Sequence, residues 1–405
     1  MSTPSPARIA EDSRIWARGH RLEAIDLMRG LVVAIMAIDH VRDFFSNADF
    51  DPLDFSRTTP ALFLTRWITH FCAPLFSLLT GVGAYLWFSR GRTPAQLTRF
   101  LLTRGAWLVI LELTLVHLGW TFDLRFTVVL GGVIWILGWS MIVLALACRL
   151  PMWANTLLAI LIVAGHNMLD GISAASFGSL AWLWTLLHSP MPIRVSSAHS
   201  FDVAYVLIPW CGVMMAGFSL GAVYNWEPER RRRFLLLLGA CLIALFAFLR
   251  GVNTYGDPAP WAAQKTSLFT FFSYINCVKY PPSLDYLLMT LGPSLLLLGL
   301  LDGVTLSSLR PLVTFGRVPM FFYLLHLPLM HLMAIAVGLV QYGDAHWFFS
   351  RPTPDTFPTL KPPGWGFGLP GVYLAWFLLL LMLYPLCRWF AGLKQRRKDA
   401  WLSYL

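Results

Sequence analysis

Apolar runs of about 20 residues recur along the whole 405-residue chain. An α-helix needs a run of this length to cross the hydrocarbon core of a bilayer, where only helices and closed barrels satisfy their backbone polar groups. Charged residues make up 13% of the chain, against about 25% in soluble domains. The sequence therefore predicts an all-α fold, a polytopic membrane helix bundle whose surface contacts the lipid bilayer.

About ten transmembrane helices are predicted from these runs. Their expected bounds are 23–45, 60–88, 100–122, 128–148, 153–171, 202–224, 234–251, 284–303, 313–341 and 369–392. We predict one transmembrane domain, 23–392, between two basic cytoplasmic tails, 1–22 and 393–405. The first tail lacks an apolar core followed by a small-residue cleavage site, so it is not interpreted as a signal peptide.

Arginine and lysine residues concentrate in the short connections and near the chain ends, as in the cluster Arg230–Arg233. All these clusters fall on one side of the membrane if the N-terminus is cytoplasmic, which is the positive-inside pattern. The same distribution accounts for the net charge of +10, and it gives no indication of nucleic-acid binding. Both termini are predicted to be cytoplasmic. The longer, extracytoplasmic loops are 46–59, 172–201, 252–283 and 342–368.

Ionisable side chains interrupt the first predicted helix. One helix face carries residues that recur at steps of three and four, namely Asp26, Arg29, Val33, Met36, His40 and Asp43, and Asp39 lies beside this face. An ionisable group inside a bilayer costs roughly 2.5–3.5 kcal/mol on insertion scales unless it is paired or faces water. We therefore expect this face to line a polar cavity, and such a cavity is a candidate functional site.

The second predicted helix carries the same signal, because Arg66 and His70 lie one turn apart on one face. Arg66 is expected to hold a carboxylate of the first helix, with Asp43 as the candidate. His70 is interpreted as a second base or as a substrate ligand. The two polar faces are expected to meet each other or a shared cavity.

His40 is the first candidate for catalysis. Histidine titrates near neutral pH, so it can take a proton from an attacking amine or hydroxyl, and a neighbouring carboxylate can orient it. Asp39 and Asp43 are the expected orienting groups, and His70 is the second candidate base. The alternative is that His40 only joins two helices as a structural polar contact.

A donor site is expected near the cytoplasmic face. Asp26 and Arg29 either form an ion pair at the interface or leave Arg29 facing the phosphates of a nucleotide-like donor. Arg317 opens the ninth predicted helix at the same level, and His326 lies about half a bilayer deeper. Arg29, Arg317 and His326 are therefore the candidate cofactor-binding residues.

Acceptor-binding candidates lie on the opposite face. Lys279 precedes a pair of prolines before the eighth predicted helix, and Asp51 and Asp54 lie in the first long loop. With Arg66, these are the candidate substrate-binding residues. The six cysteines show neither CxxC nor mixed Cys/His spacing, so no metal site is predicted.

Several stretches of the chain are similar to one family of membrane enzymes. They are IDLMRGLVVAIMAIDHVRDFF, RWITHFCAPLFSLLTGVGAYL, LIPWCGVMMAGFSLG, KYPPSLDYLLMTLGP and FGRVPMFFYLLHLPL. With these stretches the chain resembles a bacterial branch of the heparan-α-glucosaminide N-acetyltransferase-like family of transmembrane acyltransferases, over about residues 20–392. The resemblance implies an acetyl-CoA co-substrate bound from the cytosol and an acceptor glycan amine or hydroxyl on the far side. It also implies an active site between the first two helices and a place in the bacterial inner membrane.

One departure from the family pattern concerns the catalytic histidine. The lysosomal members carry an asparagine at the end of the first helix and the histidine in the loop that follows. Counted from Arg29–Gly30, these positions fall on His40 and near Asp51, and residues 46–59 contain no histidine. The resemblance therefore implies that the acid–base role lies with His40 or His70 in this chain.

Two other functions compete with acyl transfer. A proton-coupled transporter or flippase of a small polar or glycolipid substrate would use the buried histidines and aspartates as a relay. Such proteins often show paired broken helices in two matching halves, a pattern absent from this sequence. A non-catalytic partner that keeps only the fold would lose its buried ionisable groups. The acceptor, the acyl group and the oligomeric state, a homodimer among the alternatives, are not identified by the sequence.

Overall fold

The computed structural model describes residues 6–304, 307–350, 353, 357–397 and 399–404. Helices dominate these residues and confirm the all-α polytopic bundle. The α-helices are α1 (Pro6–Phe45), α2 (Pro60–Trp67), α3 (Cys72–Phe88), α4 (Pro94–Leu111), α5 (His117–Thr121), α6 (Val133–Ala147), α7 (Met152–Gly165), α8 (Ala181–Leu187), α9 (Leu207–Gly221), α10 (Pro228–Val252), α11 (Ser267–Ile275), α12 (Leu284–Leu301), α13 (Arg310–Arg317), α14 (Pro319–Tyr342) and α15 (Leu369–Arg396).

Eight helical segments of the described chain are long and apolar enough to cross a membrane. They are Pro60–Phe88, Pro94–Thr121, Met152–Leu169, Leu207–Asn225, Pro228–Val252, Leu284–Leu301, Pro319–Tyr342 and Leu369–Arg396. The other two predicted spans correspond to α1, which is interrupted by charged residues, and to α6, which has only 15 residues. The chain is therefore an integral, multi-pass membrane protein.

A small three-stranded sheet includes residues at which two helices were predicted to begin. Strand β1 (Val128–Gly131) pairs in parallel with β3 (Ser200–Val203), and β2 (Pro192–Arg194) pairs antiparallel with β3. The fourth and sixth predicted helices accordingly begin at Val133 and Leu207, later than expected. A short apolar run has no periodicity that separates strand from buried helix, which is why these two starts were misplaced.

Two other boundaries also differ from the prediction. Helix α1 begins at Pro6, so most of the predicted tail 1–22 has a helical backbone that continues into the bundle. The ninth predicted helix is divided at Val318 into α13 and α14. Pro319 lacks the N–H that a continuous helix would require, so it starts a new helix instead.

Paired glycines bring helix backbones into direct contact in the core. A Cβ atom at Gly30 of α1 would overlap a carbonyl oxygen of α13, and one at Gly316 of α13 would overlap a carbonyl oxygen of α1. The same reciprocal contact occurs between α3 and α9 at Gly81 and Gly217. Small residues permit this close approach, which replaces the hydrophobic effect as a source of helix association within lipid. These crossings fix α1 and α3, the two helices that carry most of the site.

The loops at the C-terminal end of α1 are held in place by hydrogen bonds to backbone carbonyls. Trp365 donates its indole N–H to the Phe44 carbonyl at 2.7 Å, and the Phe367 N–H donates to the Phe45 carbonyl at 2.7 Å. Across the same face, the buried Arg250 guanidinium donates to four carbonyls of loop 252–283. The loops on this side therefore form a fixed cover over the end of α1.

The orientation in the membrane remains a prediction that reporter fusions can test. Fusions at Arg233 and at the last residue are expected to read as cytoplasmic, because both follow basic clusters that obey the positive-inside rule. A fusion at Lys265, in loop 252–283, is expected to read as extracytoplasmic. A cytoplasmic signal at Lys265 would reverse the assignment of both faces.

Candidate active site

Two cavities lie against the polar face of α1 and share part of their walls. The basic cavity, of about 450 Å³, is lined by Arg29, and the histidine cavity, of about 310 Å³, is lined by His40. Phe76, Val133 and Tyr323 line both cavities. The two spaces therefore adjoin at these three side chains, which we call the neck.

The basic cavity has a strong excess of positive charge. Among the described residues, its one acidic lining residue is Asp26, which lies 3.6 Å from the Arg29 guanidinium and 3.8 Å from that of Arg317. The basic lining residues are Arg29, Arg90, Arg104, Arg317 and Lys394. Arginine guanidinium groups match the geometry of phosphate oxygens, so this cavity suits a phosphorylated ligand.

Three of these basic residues were missed as site residues by sequence reasoning. Arg90, Arg104 and Lys394 were used only to orient the chain, because basic residues at helix ends follow the positive-inside rule. Arg104 offered a signal, since it lies inside the apolar run of the third predicted helix. Arg29 and Arg317 do line this cavity, as the sequence predicted for a donor site, and Arg29 is fixed by a 3.1 Å hydrogen bond to the Leu79 carbonyl.

His40 forms a hydrogen-bonded pair with His326 in the wall of the histidine cavity. His40 Nδ1 lies 2.7 Å from His326 Nε2, and the two rings stack with their centroids 5.0 Å apart. His326 Nδ1 lies 2.6 Å from the Tyr323 carbonyl oxygen. His326 is fully buried and does not line the basic cavity. The sequence prediction that it binds the donor therefore has no support from its position.

The hydrogen-bond network assigns the tautomers of this pair. A carbonyl oxygen only accepts, so His326 donates from Nδ1, and its neutral ring then accepts at Nε2. His40 must consequently donate from Nδ1, which leaves the lone pair of its Nε2 available. No hydrogen bond from a described residue occupies that nitrogen. His40 thus has the free basic nitrogen that a general base requires.

The carboxylates near His40 bind arginines instead of the imidazole. Asp39 accepts from Arg42 and from Arg66, each at 2.9 Å, and Asp43 accepts from Arg42 at 3.1 Å. The expected partner of Arg66 was Asp43, and this was wrong: Arg66 pairs with Asp39, which lies one turn deeper along α1. Asp39 and Asp43 line the histidine cavity, but His326 is the group that orients His40.

His70 lies outside both cavity walls. It is fully buried in the 3₁₀ turn Ile68–Phe71 between α2 and α3, and its ring packs edge-on against Tyr286 at 5.5 Å. Neither ring nitrogen has a hydrogen-bond partner among the described residues. The structure therefore does not bring this second candidate base together with His40.

Asp51 and Asp54 shape the first long loop and do not line either cavity. Asp51 accepts from the Leu53 N–H at 2.9 Å, and Asp54 accepts from the Ser56 N–H at 2.9 Å. The hydrogen bonds from Ser56 lower the pKa of Asp54. Both carboxylates make the side-chain-to-backbone turns that aspartate favours in loops. Their predicted contact with substrate has no support from their positions.

Two lysines of the opposite loops approach the histidine cavity. Lys279 lines it, as expected of a substrate-binding residue. Lys361, in loop 357–368, lies near enough to Asp43 for the two charges to attract each other, but its side chain is exposed and lines neither cavity.

Glu112 connects the histidine cavity to the start of α6. It opens a π-helical turn, Glu112–Val116, and its carboxylate accepts from the N–H groups of Gly132, Ile134 and Trp135 at 3.1–3.2 Å. A Cβ atom at Gly132 would lie 2.6 Å from this carboxylate, so an alanine there would displace the carboxylate from its present position. The π turn places the side chain where an uninterrupted α-helix would not, a use of π-helix common at functional sites.

The fold and the site define a polytopic membrane protein with an available histidine base in a cavity next to an arginine-rich one. The family model described as "Heparan-alpha-glucosaminide N-acetyltransferase, catalytic" matches residues 21–254, more than half of the chain. The chain therefore belongs to this family, which is of the transmembrane acetyltransferase type. No curated protein matches it. His40 lies within the matched residues, whereas His326 lies beyond them.

Proposed function

We propose that this protein transfers an acetyl or related acyl group from coenzyme A to a sugar amine or hydroxyl. The donor occupies the basic cavity and the acceptor occupies the histidine cavity. The observation that carries this proposal is the shared wall of the two cavities, which puts an arginine-rich region suited to phosphate next to an available base.

The dimensions of the pair of cavities support an elongated donor. Arg29 and His40 lie eleven residues apart on α1, which is about 16 Å at 1.5 Å per residue. A ligand that reaches both must carry its phosphates at one end and its reactive group at the other, as an acyl-CoA does. Its thin pantetheine arm would pass the neck formed by Phe76, Val133 and Tyr323.

His40 supplies the proton transfer that the reaction needs. As the acceptor nitrogen or oxygen bonds to the thioester carbonyl carbon, its proton moves to His40 Nε2. The carbon–sulfur bond then breaks, and the proton held by His40 can pass to the departing thiolate, so CoA leaves as the thiol. His326 keeps Nδ1 of His40 protonated throughout, which holds the basic nitrogen towards the cavity.

The positive-inside pattern supports a cytosolic position for the basic cavity and an outer position for the histidine cavity. The proposed acceptor is an extracytoplasmic glycan, and the proposed membrane is the bacterial inner membrane that the family resemblance implies. The alternative is a proton-coupled transporter, which would move a substrate through the same two cavities without consuming acetyl-CoA.

A transfer assay separates these alternatives. Purified protein in lipid nanodiscs, given acetyl-CoA labelled in the acetyl group and a panel of amino sugars, is expected to release CoA thiol and to label one class of sugar. Equal amounts of thiol and labelled product would support transfer. Translocation of a sugar with no thiol release would support the transporter and contradict the proposal.

Arg29→Ala is expected to weaken acetyl-CoA binding about 10-fold or more, because a hydrogen bond to a charged group contributes roughly 1.5–3 kcal/mol. Arg317→Ala should weaken it less, since Arg317 is half exposed. Calorimetric titration measures both, and neither change should alter the acceptor KM to the same degree. Arg99→Ala is the control, because Arg99 is exposed and lines neither cavity. Unchanged affinity in both variants would place the donor elsewhere.

A further inference from the structure

The neck between the two cavities has one polar side chain. Of Phe76, Val133 and Tyr323, only Tyr323 has a side chain that can donate a hydrogen bond. Tyr323 is 5% exposed, and its hydroxyl forms no hydrogen bond with a described residue, yet its oxygen stays accessible from the cavity space. The neck therefore presents an available hydroxyl to a ligand that passes through it.

Glu112 is the charged group that acts on this hydroxyl. Its carboxylate does not accept the Tyr323 proton, because its oxygens already accept from the backbone N–H groups of Gly132, Ile134 and Trp135 at 3.1–3.2 Å. A tyrosine hydroxyl ordinarily titrates near pH 10. Tyr323 therefore keeps its proton at neutral pH and can donate it in a hydrogen bond to a ligand.

Tyr323 belongs to the same hydrogen-bonded unit as the candidate base. Its carbonyl oxygen lies 2.6 Å from His326 Nδ1, and His326 Nε2 lies 2.7 Å from His40 Nδ1. The Tyr323 ring packs edge to face on the His326 ring at 5.2 Å, and the His326 ring stacks on the His40 ring at 5.0 Å. These three rings form a continuous row, which fixes the position of the Tyr323 side chain relative to His40.

The proposed function determines which part of the donor lies near this row. The phosphates of an acyl-CoA occupy the basic cavity and the base lies in the histidine cavity, so the thioester reaches the end of the neck beside His40. When the acceptor nucleophile adds to the thioester carbon, an electron pair of the carbonyl bond moves to the oxygen. Preorganised hydrogen-bond donors stabilise such an oxyanion most strongly where water is excluded.

We propose that Tyr323 is a further catalytic residue, whose hydroxyl donates a hydrogen bond to the thioester carbonyl oxygen and stabilises the negative charge that forms there. This inference rests on the proposed function, because it assumes that an acyl-CoA passes the neck. The proton of the nucleophile moves to His40 Nε2, while Tyr323 retains its own proton. The carbonyl bond then re-forms, the carbon–sulfur bond breaks, and the thiolate takes the proton from His40.

Tyr323→Phe removes the hydroxyl and keeps the ring that packs on His326. It is expected to lower kcat about 100- to 1,000-fold, the usual effect of removing one oxyanion donor, with the acetyl-CoA Kd, the acceptor KM and the melting temperature retained. Tyr342→Phe is the matched control, because Tyr342 lies on the same helix, α14, and lines neither cavity. It should behave as the wild type does.

Infrared spectroscopy of bound acetyl-CoA reports on the hydrogen bond itself. With a ¹³C label at the thioester carbonyl and no acceptor present, the carbonyl stretch is measured in the wild type and in Tyr323→Phe. A hydrogen bond weakens the carbonyl double bond, so the band is expected at lower frequency in the wild type. This measurement does not depend on turnover, and a merely structural role of the hydroxyl would not shift the band.

A Tyr323→Phe protein that transfers at the wild-type rate would overturn the inference and leave the proposed function intact. A raised donor KM with unchanged kcat would also overturn it, because Tyr323 would then only guide the pantetheine arm. A lowered kcat with an unshifted carbonyl band would overturn it as well, since the hydroxyl would then act on the departing sulfur or on the fold. Absence of acetyl-CoA binding by the wild type would contradict the proposed function itself, and the role of Tyr323 with it.

Discussion

His40→Gln is expected to lower the rate of acyl transfer by two to four orders of magnitude and to leave acetyl-CoA binding unchanged. A positioned general base contributes about 10²- to 10⁴-fold to such a rate, and glutamine keeps much of the volume and polarity without the basic nitrogen. In the proposed function the donor occupies the basic cavity, whose walls do not include His40. CoA release gives kcat, and calorimetric titration gives the donor Kd.

A substitution at His326 is a second test of His40 as the base. His326→Asn is expected to reduce kcat about 10- to 100-fold with both KM values retained, because His40 loses the hydrogen bond that fixes its tautomer. His199→Gln is the control, since His199 is exposed and lines neither cavity. A stable His40→Gln protein that binds CoA and transfers at the wild-type rate would refute the assignment. Parallel losses of melting temperature, yield and activity would indicate that His40 only joins helices.

Gly316→Ala is expected to prevent the folded protein from accumulating. The added methyl group would overlap the Asp26 carbonyl oxygen, and neither backbone can yield without separating α1 from α13. Overpacking typically costs 1–3 kcal/mol, occasionally more, and a clash between two backbones belongs at the upper end. Detergent-solubilised yield and thermal unfolding measure the effect.

Gly251→Ala is the matched control for this change. Gly251 lies in helix α10, and a Cβ atom there would meet nothing within 4 Å. Alanine at such a position should leave stability unchanged or raise it slightly, because glycine is the poorer helix former. If Gly316→Ala unfolded at the wild-type temperature, the close crossing of α1 and α13 would be wrong, and with it the position of Arg317 beside Asp26.

Local periodicity explains what the sequence could predict. Asp26, Arg29 and His40 share a helix face because the 3.6-residue repeat is a property of one helix. Their common lining of two adjoining cavities follows directly from that repeat. Because charged groups are costly in lipid, this face was predicted to line a polar cavity and to be a candidate functional site.

The periodicity of a single helix does not predict contacts between helices. His40 and His326 are 286 residues apart, and no pattern in either helix states which turn of one meets which turn of the other. The same uncertainty led to Asp43 as the partner of Arg66, when Asp39 lies at the right level. Asp51 and Asp54 were predicted to bind substrate because of their charge. The carboxylates of loop aspartates often accept hydrogen bonds from nearby backbone N–H groups instead, and both of these carboxylates do so.

The hydrogen bonds that the Glu112 carboxylate accepts affect how helix α6 can be inserted into the membrane. Helix α6 has 15 residues, about 22 Å, and is too short to cross a hydrocarbon layer about 30 Å thick. Its first turn therefore begins inside the protein, where the exposed N–H groups would have no water to bind. Glu112 satisfies three of them, so α6 gains an acceptable start only when α4 and its π turn are already beside it. We therefore expect these two segments to enter the membrane together, as one hairpin.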